Sequence, residues 1–177
     1  MGCNLSVLNG DITLDCADIP VGGIIKAYLV KLADITSTTE VDGEVTAIAL
    51  SNVVDMEFNP KDGFSSFTDT KTVDETGVVT AIPTLLLEFP KMTLEKRNSI
   101  ELLTSNGIEL VAFIETSAGE RHALGMDFGL RGSEGNGQSG TGRTEKNKYD
   151  VKLEGEETNL SRYISDAAWS SIVAAVI

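Results

Sequence analysis

The sequence is poor in cysteine and histidine, and these shortages limit the classes of site that it can build. Cys3 and Cys16 are its only cysteines, too few for a disulfide scaffold. His122 is its only histidine, so no zinc ligand set is expected. We therefore expect a reduced protein, intracellular or assembled inside a cell, that carries no metal or other cofactor.

Positive charge is also scarce. The chain has 14 Lys and Arg against 27 Asp and Glu, a formal net charge of −13. Such a surface repels phosphate, so specific nucleic-acid binding is not expected, although a polyanion could slide past an anionic wall. The N-terminus lacks a secretory signal pattern, and the apolar residues 167–177 are too few to cross a bilayer. No membrane association is expected.

Short β-segments dominate the pattern, and 177 residues fit one domain, expected to span 1–177. Residues 34–43 predict a loop or exposed edge, and Pro83 predicts an edge strand or a bulge. Asn9-Gly10 predicts a hairpin within 5–14, and 59–63 predicts a turn. Strands are predicted at 24–32 (apolar on both faces), 44–50, 53–58, 78–89, 108–115, 121–128 and 149–153.

One helix is predicted over 94–105, capped by Thr93 and stopped at Asn106-Gly107. Residues 165–177 fit either a short helix capped by Ser165 or Asp166, or an extended apolar strap. The fold class is therefore mainly β, a β-sandwich or barrel with one flanking α-helix. The predicted core includes Leu29, Val30, Ile114 and Leu153, and the predicted buried face of the helix is Leu94, Ile100 and Leu103.

A glycine-rich stretch covers 129–143, where six of fifteen residues are glycine. This composition cannot bury enough apolar surface to hold one conformation, so we expect a loop that is ordered by a neighbouring subunit. Arg143, Lys146, Lys148 and Lys152 either form a complementary basic face or are scattered solubilising charges. The candidate subunit-interface residues are Gly129, Arg131, Gly135, Gly137, Gly140, Arg143, Lys146 and Lys148.

Two short motifs in this region match enzyme signatures by chance. The Gly135, Gly137 and Gly140 spacing matches a dinucleotide fingerprint, but a strand rather than a helix is predicted to follow it. Asp127-Phe128-Gly129 matches the kinase magnesium tripeptide, but the other kinase motifs are missing. No cofactor site is predicted from either motif.

The remaining candidate sites also favour ordinary structural roles. Gly2 and Cys3 fit an acylation pattern, but no basic patch supports anchoring, so a plain N-terminal strand is favoured. His122 lacks a nucleophile and an orienting acid, so a solvated or capping role is expected. The acids Glu154, Glu156 and Glu157 lack calcium-loop spacing, and a solvated turn is expected. No catalytic residue is predicted.

Three stretches resemble virion proteins of tailed phages, particularly tail tube and related ring proteins of phages of Bacteroides-like hosts. The first is Leu14-Asp15-Cys16 through Val21-Gly22-Gly23-Ile24 to Lys26-Ala27-Tyr28-Leu29. The second is Val111-Ala112-Phe113-Ile114-Glu115-Thr116 with Gly119-Glu120-Arg121, Leu124-Gly125 and Gly129-Leu130. The third is Ser139-Gly140 with Tyr149-Asp150-Val151-Lys152-Leu153-Glu154-Gly155-Glu156-Glu157.

The resemblance implies a non-enzymatic subunit that forms homo-oligomeric rings, expected to be hexameric. The rings would stack into a tube that conducts DNA without binding it specifically, within a virion assembled in the host cytoplasm beside other virion proteins. The inner barrel of such tubes usually depends on a long hairpin, which the sequence does not predict. A head–tail connector, ring or capsid accessory protein therefore stays open as an alternative, followed by a small enzyme with an unrecognised site.

Overall fold

The fold consists of two β-sheets and two α-helices in a computed structural model that describes residues 22–58, 65–105, 107–140, 145 and 147–177. The strands are β1 Ile24–Lys31, β2 Ile35–Val41, β3 Glu44–Leu50, β4 Val54–Glu57, β5 Ser66–Val73, β6 Val79–Pro90, β7 Leu110–Thr116, β8 Arg121–Leu124, β9 Arg131–Gln138, β10 Lys148–Glu154 and β11 Arg162–Ile164. The helices are α1 Leu94–Leu103 and α2 Asp166–Ala174, and Leu32–Asp34 forms one 3-10 turn. The predicted hairpin in 5–14 and the predicted turn at 59–63 lie outside the described residues.

The large sheet has seven strands in the order β2-β3-β11-β8-β7-β1-β4. Its central strands β1 and β7 are apolar on both faces because each face is covered. One face packs on the other sheet through Leu29, Ala112 and Ile114, and the opposite face packs on α2 through Phe113. Trp169 of α2 meets Tyr28 of β1 edge to face at 5.1 Å. The large sheet is therefore the middle layer of the fold.

The small sheet has four strands in the order β5-β6-β10-β9, and every neighbouring pair is antiparallel. Strands β5 and β6 form a long hairpin whose turn is closed by Asp74, which accepts hydrogen bonds from the backbone of Thr76 and Val78. The sequence prediction missed β5. The alternating threonines at 68, 70 and 72 are the signal that could have revealed it.

The mainly β fold class is confirmed, with two sheets stacked as in a sandwich. The four predicted core residues, Leu29, Val30, Ile114 and Leu153, are all buried. Residues 34–43 contain the exposed edge strand β2, one of the two alternatives predicted for them. Within the described residues there are two helices, because residues 165–177 contain α2 rather than an extended strap.

Both helices begin at the caps that the sequence predicts. The Thr93 side chain accepts a hydrogen bond from the Lys96 amide, and the Ser165 side chain accepts one from the Ala168 amide. The predicted buried face of α1 is only partly correct, since Ile100 is buried while Leu94 is 70% exposed.

The glycine-rich stretch corrects the sequence analysis most clearly, because residues 131–138 form β9 rather than a loop. The strand is held by pairing with β10 along its length, so no neighbouring subunit is needed to order it. Its glycines allow α1 to lie directly on the strand. A Cβ at Gly132 would overlap the Leu103 carbonyl oxygen, and a Cβ at Gly135 would lie 2.9 Å from Cγ2 of Ile100.

Pro83 is a second correction, since it lies in the central strand β6 rather than at an edge or a bulge. The pairing of β6 with β10 keeps its register past Pro83, from Thr84 with Glu154 to Ala81 with Glu157. Pro83 still accepts a backbone hydrogen bond from Gly155 at 3.3 Å. The strand therefore loses only the bond that the missing proline N–H would have donated.

Candidate functional site

The two outer strands of the small sheet, β5 and β9, are long unpaired edges. Each strand is eight residues long, and both are largely exposed. Within the described ranges, neither makes a backbone hydrogen bond beyond its own sheet. Long unpaired edges are templates for another strand, and folded proteins usually shorten, cover or break them.

The hydrogen-bond pattern shows which amides of β5 point to the free side. Ala81 and Glu157 exchange two backbone bonds of 2.8 Å, so odd-numbered residues of β6 direct their backbone towards β10. Even-numbered residues of β6 therefore bond β5, where Thr70 lies opposite Ile82. It follows that the N–H and C=O groups of Phe67, Asp69, Lys71 and Val73 point away from the sheet.

The two free edges also run in opposite directions. Each of the three neighbouring pairs in the small sheet is antiparallel, so β9 runs opposite to β5. If β9 of one copy met β5 of the next, the antiparallel alternation would continue without interruption. The edges are compatible with repeated addition of identical subunits.

The open face of the small sheet, which points away from the large sheet, is mainly polar, although Ile82 and Leu86 also lie on it. Its two lysines are already paired: Lys148 lies 2.5 Å from Glu88, and Lys152 lies 2.5 Å from Glu154. The other residues on this face include Thr68, Thr70, Thr72, Thr84, Glu134 and Asn136. A phosphate passing this face would meet no unpaired cation among them.

The structure places the interface residues predicted from sequence in different surroundings. Arg131 bonds Glu109 within the chain at 2.5 Å, and Lys148 is paired within the small sheet. Gly135 and Gly137 lie in β9, on the side covered by α1 and Tyr149. Gly129 and Gly140 flank β9 with positive φ angles of 80° and 74°. Arg143 and Lys146 lie outside the described residues.

A partly buried ionic cluster joins the two sheets around Arg162. Its guanidinium donates to Glu40 at 2.5 Å, to Asp127 at 2.5 Å and to Glu157 at 3.3 Å. Glu157 is 5% exposed and also accepts a hydrogen bond of 3.0 Å from the amide of Asp127. The expectation that Glu157 belongs to a solvated turn is therefore wrong, because the arginine and the backbone replace its water.

The pKa values of two carboxylates in this cluster shift in opposite directions. Burial raises the pKa of Glu157, although the amides of Asp127 and Phe128 oppose the shift. Burial also acts to raise the pKa of Asp127, but hydrogen bonds from Thr158 and Arg162 outweigh it and hold that pKa below its ordinary value. The arginine fills the centre of the carboxylates, so the cluster acts as a joint between β2, β11 and the loops beside them.

His122 lies at a second junction between the sheets. It is 6% exposed, with Phe67 of β5 at 5.0 Å and Tyr163 of β11 at 4.6 Å between ring centroids. Its Nδ1 and the Oδ1 of Asp69 are both buried without a hydrogen-bond partner. Burial lowers the pKa of His122, against the opposing effect of Glu120 and Asp69. The solvated or capping role expected from sequence is wrong, because aromatic rings enclose the imidazole.

An open cleft of about 880 Å³ lies at the hairpin-turn end of the small sheet. Val79, Ile82 and Phe128 supply its exposed apolar surface, and Glu154 and Glu156 supply acidic groups. The chance kinase tripeptide thus contributes an apolar side chain here, while its aspartate bonds Arg162.

The described residues contain neither a metal-binding cluster nor a membrane-spanning helix. No group of three or more His, Cys, Asp or Glu side chains in the described ranges is arranged to hold a metal ion. No helix in the described part of the chain is both long enough and apolar enough to span a bilayer. The edges of the small sheet therefore remain the leading candidate for a functional surface.

Comparison with known proteins identifies no relative: no family model, no curated protein and no solved structure matches the chain.

Proposed function

We propose that this chain is a non-enzymatic structural subunit of a phage tail tube, and that copies join edge to edge into rings that stack into a DNA-conducting channel. The carrying observation is the small sheet, whose two long free edges run in opposite directions. The sequence resemblance to tail tube and ring proteins is the second line of support for the proposal.

The two edges would form a heterologous contact, in which β9 of one copy meets β5 of the next. Such a contact uses two different surfaces of each subunit, so it repeats around a ring when the rotation closes. Closure would remove every unpaired edge of the small sheet, which is how barrels avoid uncontrolled edge pairing.

The dimensions suit a channel rather than a filled barrel. Six copies would contribute about 24 strands, spaced ~4.8 Å apart. With a tilt of about 40° the backbone ring would be roughly 50 Å across, larger than barrels that already hold an aqueous channel. A lumen of this width would admit a DNA duplex.

The β5–β6 hairpin supplies the feature that the sequence analysis did not find. It joins an eight-residue strand to a twelve-residue strand and forms half of the small sheet. This favours the tube over the connector and accessory alternatives, since the resemblance implies an inner barrel built on a long hairpin.

The mainly polar open face suits a lumen wall. Its lysines are paired with carboxylates, and the chain as a whole carries a net charge of −13. DNA would then slide past without specific binding. Tight binding requires protein cations that displace the counterions condensed on the DNA, and the lysines of this face are already paired. The subunit would act in the virion, beside other virion proteins.

Electron microscopy of the purified chain, together with light scattering, tests the proposal. We expect tubes of uniform diameter with a central channel. Isolated rings that never stack would favour the connector or ring alternative. Monomers at every concentration and salt condition tested would contradict self-assembly.

A further inference from the structure

Helix α1 has one flank that faces outward past β9, and two contacts establish its orientation. Lys96 donates a hydrogen bond through Nζ to the Pro90 carbonyl at the end of β6, so that side of the helix lies towards β6. On the other side, Cγ2 of Thr104 lies 3.1 Å from the position that a Cβ on Gly135 would occupy. The flank that continues from Thr104 therefore overhangs the free edge of β9.

This overhanging flank carries Arg97 and Glu101, which lie one turn apart on the same side as Thr104. The two side chains bond each other at 2.5 Å and remain 53% and 61% exposed. An exposed pair of this kind contributes little to stability, so both groups can take other partners.

Strand β5 carries a positive charge on its side that faces the large sheet. Lys71 is exposed, and no described residue pairs with it. Asp69, on the same side, is held within its own subunit, because its Oδ2 accepts a hydrogen bond from the Ser161 amide and its Oδ1 is buried. The backbone N–H of Lys71 points to the free edge.

We propose that, when β5 of a second copy pairs with β9, its Lys71 contacts Glu101. This contact rests on the proposed edge-to-edge assembly and adds a second layer to it, between a helix and a strand. The partner is a second copy of this chain.

Direction supports this match. Gly132 lies against Leu103 and Gly135 lies against Ile100, so α1 runs antiparallel to β9. A strand that pairs antiparallel with β9 therefore runs in the same direction as α1, with its Lys71 side chain on the same side of the sheet as the helix.

Charge reversal tests this contact. Lys71→Glu and Glu101→Lys each place like charges together, and we expect each to raise the concentration needed for assembly about tenfold or more. The double variant Lys71→Glu with Glu101→Lys should assemble at a concentration close to that of the wild type. Lys31→Glu, at an exposed position of β1, makes the same change in net charge and should assemble normally.

Light scattering against concentration gives the threshold, and thermal melting shows that each variant is folded. Single variants that assemble like the wild type, or a double variant no better than the singles, would overturn the contact while leaving edge-to-edge assembly intact. A wild-type chain that remains monomeric would overturn the proposed function and this contact together.

Discussion

The two sheets of this protein differ in how much of their surface the fold itself covers. The large sheet is buried on both faces, by the small sheet and by α2. The small sheet is buried on one face and leaves a mainly polar face and two long edges open. The contrast places the large sheet at the packed centre of the monomer, and it leaves the open face and edges of the small sheet as the natural surface for other copies.

The contrast is sharpest for a core side chain of the large sheet. Phe113 of β7 is fully buried, so Phe113→Ala should destabilise the protein by about 3–5 kcal/mol. Thr70→Ala, on the open face of the small sheet, should change the free energy of unfolding by less than about 0.5 kcal/mol. Urea denaturation measures both, and similar losses for the two variants would contradict this difference between covered and open faces.

The joint between the sheets can be weakened at Arg162. Arg162→Met leaves the carboxylates of Glu157 and Asp127 without their cation, and we expect a loss of about 3 kcal/mol near neutral pH. The matched variant Arg97→Met removes an arginine from an exposed pair and should cost less than about 1 kcal/mol. Equal denaturation midpoints for the two variants would show that the cluster does not join the sheets.

Gly132 tests why β9 is rich in glycine. Gly132→Ala places a Cβ 2.7 Å from Cα of Thr104, so α1 must shift, at a cost of about 1–3 kcal/mol. Gln138→Ala, at the exposed end of the same strand, should be nearly neutral. Thermal melting distinguishes the two, and a neutral Gly132→Ala would mean that α1 does not press on β9.

The smallest expected effect is a pH dependence at the His122 junction. Burial lowers the pKa of His122 in the folded state, so the unfolded chain binds more protons as the pH falls below about 6.5. The contribution of the neutral imidazole to the free energy of unfolding is thus present above that pH and is lost as the pH falls. Denaturation of the wild type and of His122→Gln between about pH 5 and 7 should show a steeper slope for the wild type. Parallel slopes would contradict a neutral buried histidine.

Sequence reasoning succeeded where a local pattern determines the structure. The apolar run of β1, the alternation of β10 and the caps at Thr93 and Ser165 depend on neighbouring residues alone. It failed where distant residues decide. The glycine-rich composition of β9 predicts a loop, and only the contact with α1 explains why glycines are needed in this strand. The local sequence predicts that His122 and Glu157 are solvated. Both are buried, because the packing of the two sheets encloses them.

The most direct measurement of the central claim is the assembly of Lys71→Pro. The Lys71 N–H points to the free edge, so proline there removes a donor for an incoming strand without breaking the β5–β6 ladder. Lys71→Thr removes the same charge and keeps the donor. Light scattering and electron microscopy should show Lys71→Pro as a folded monomer under conditions where Lys71→Thr still assembles. Normal rings or tubes from folded Lys71→Pro would show that β5 is not an edge through which copies join.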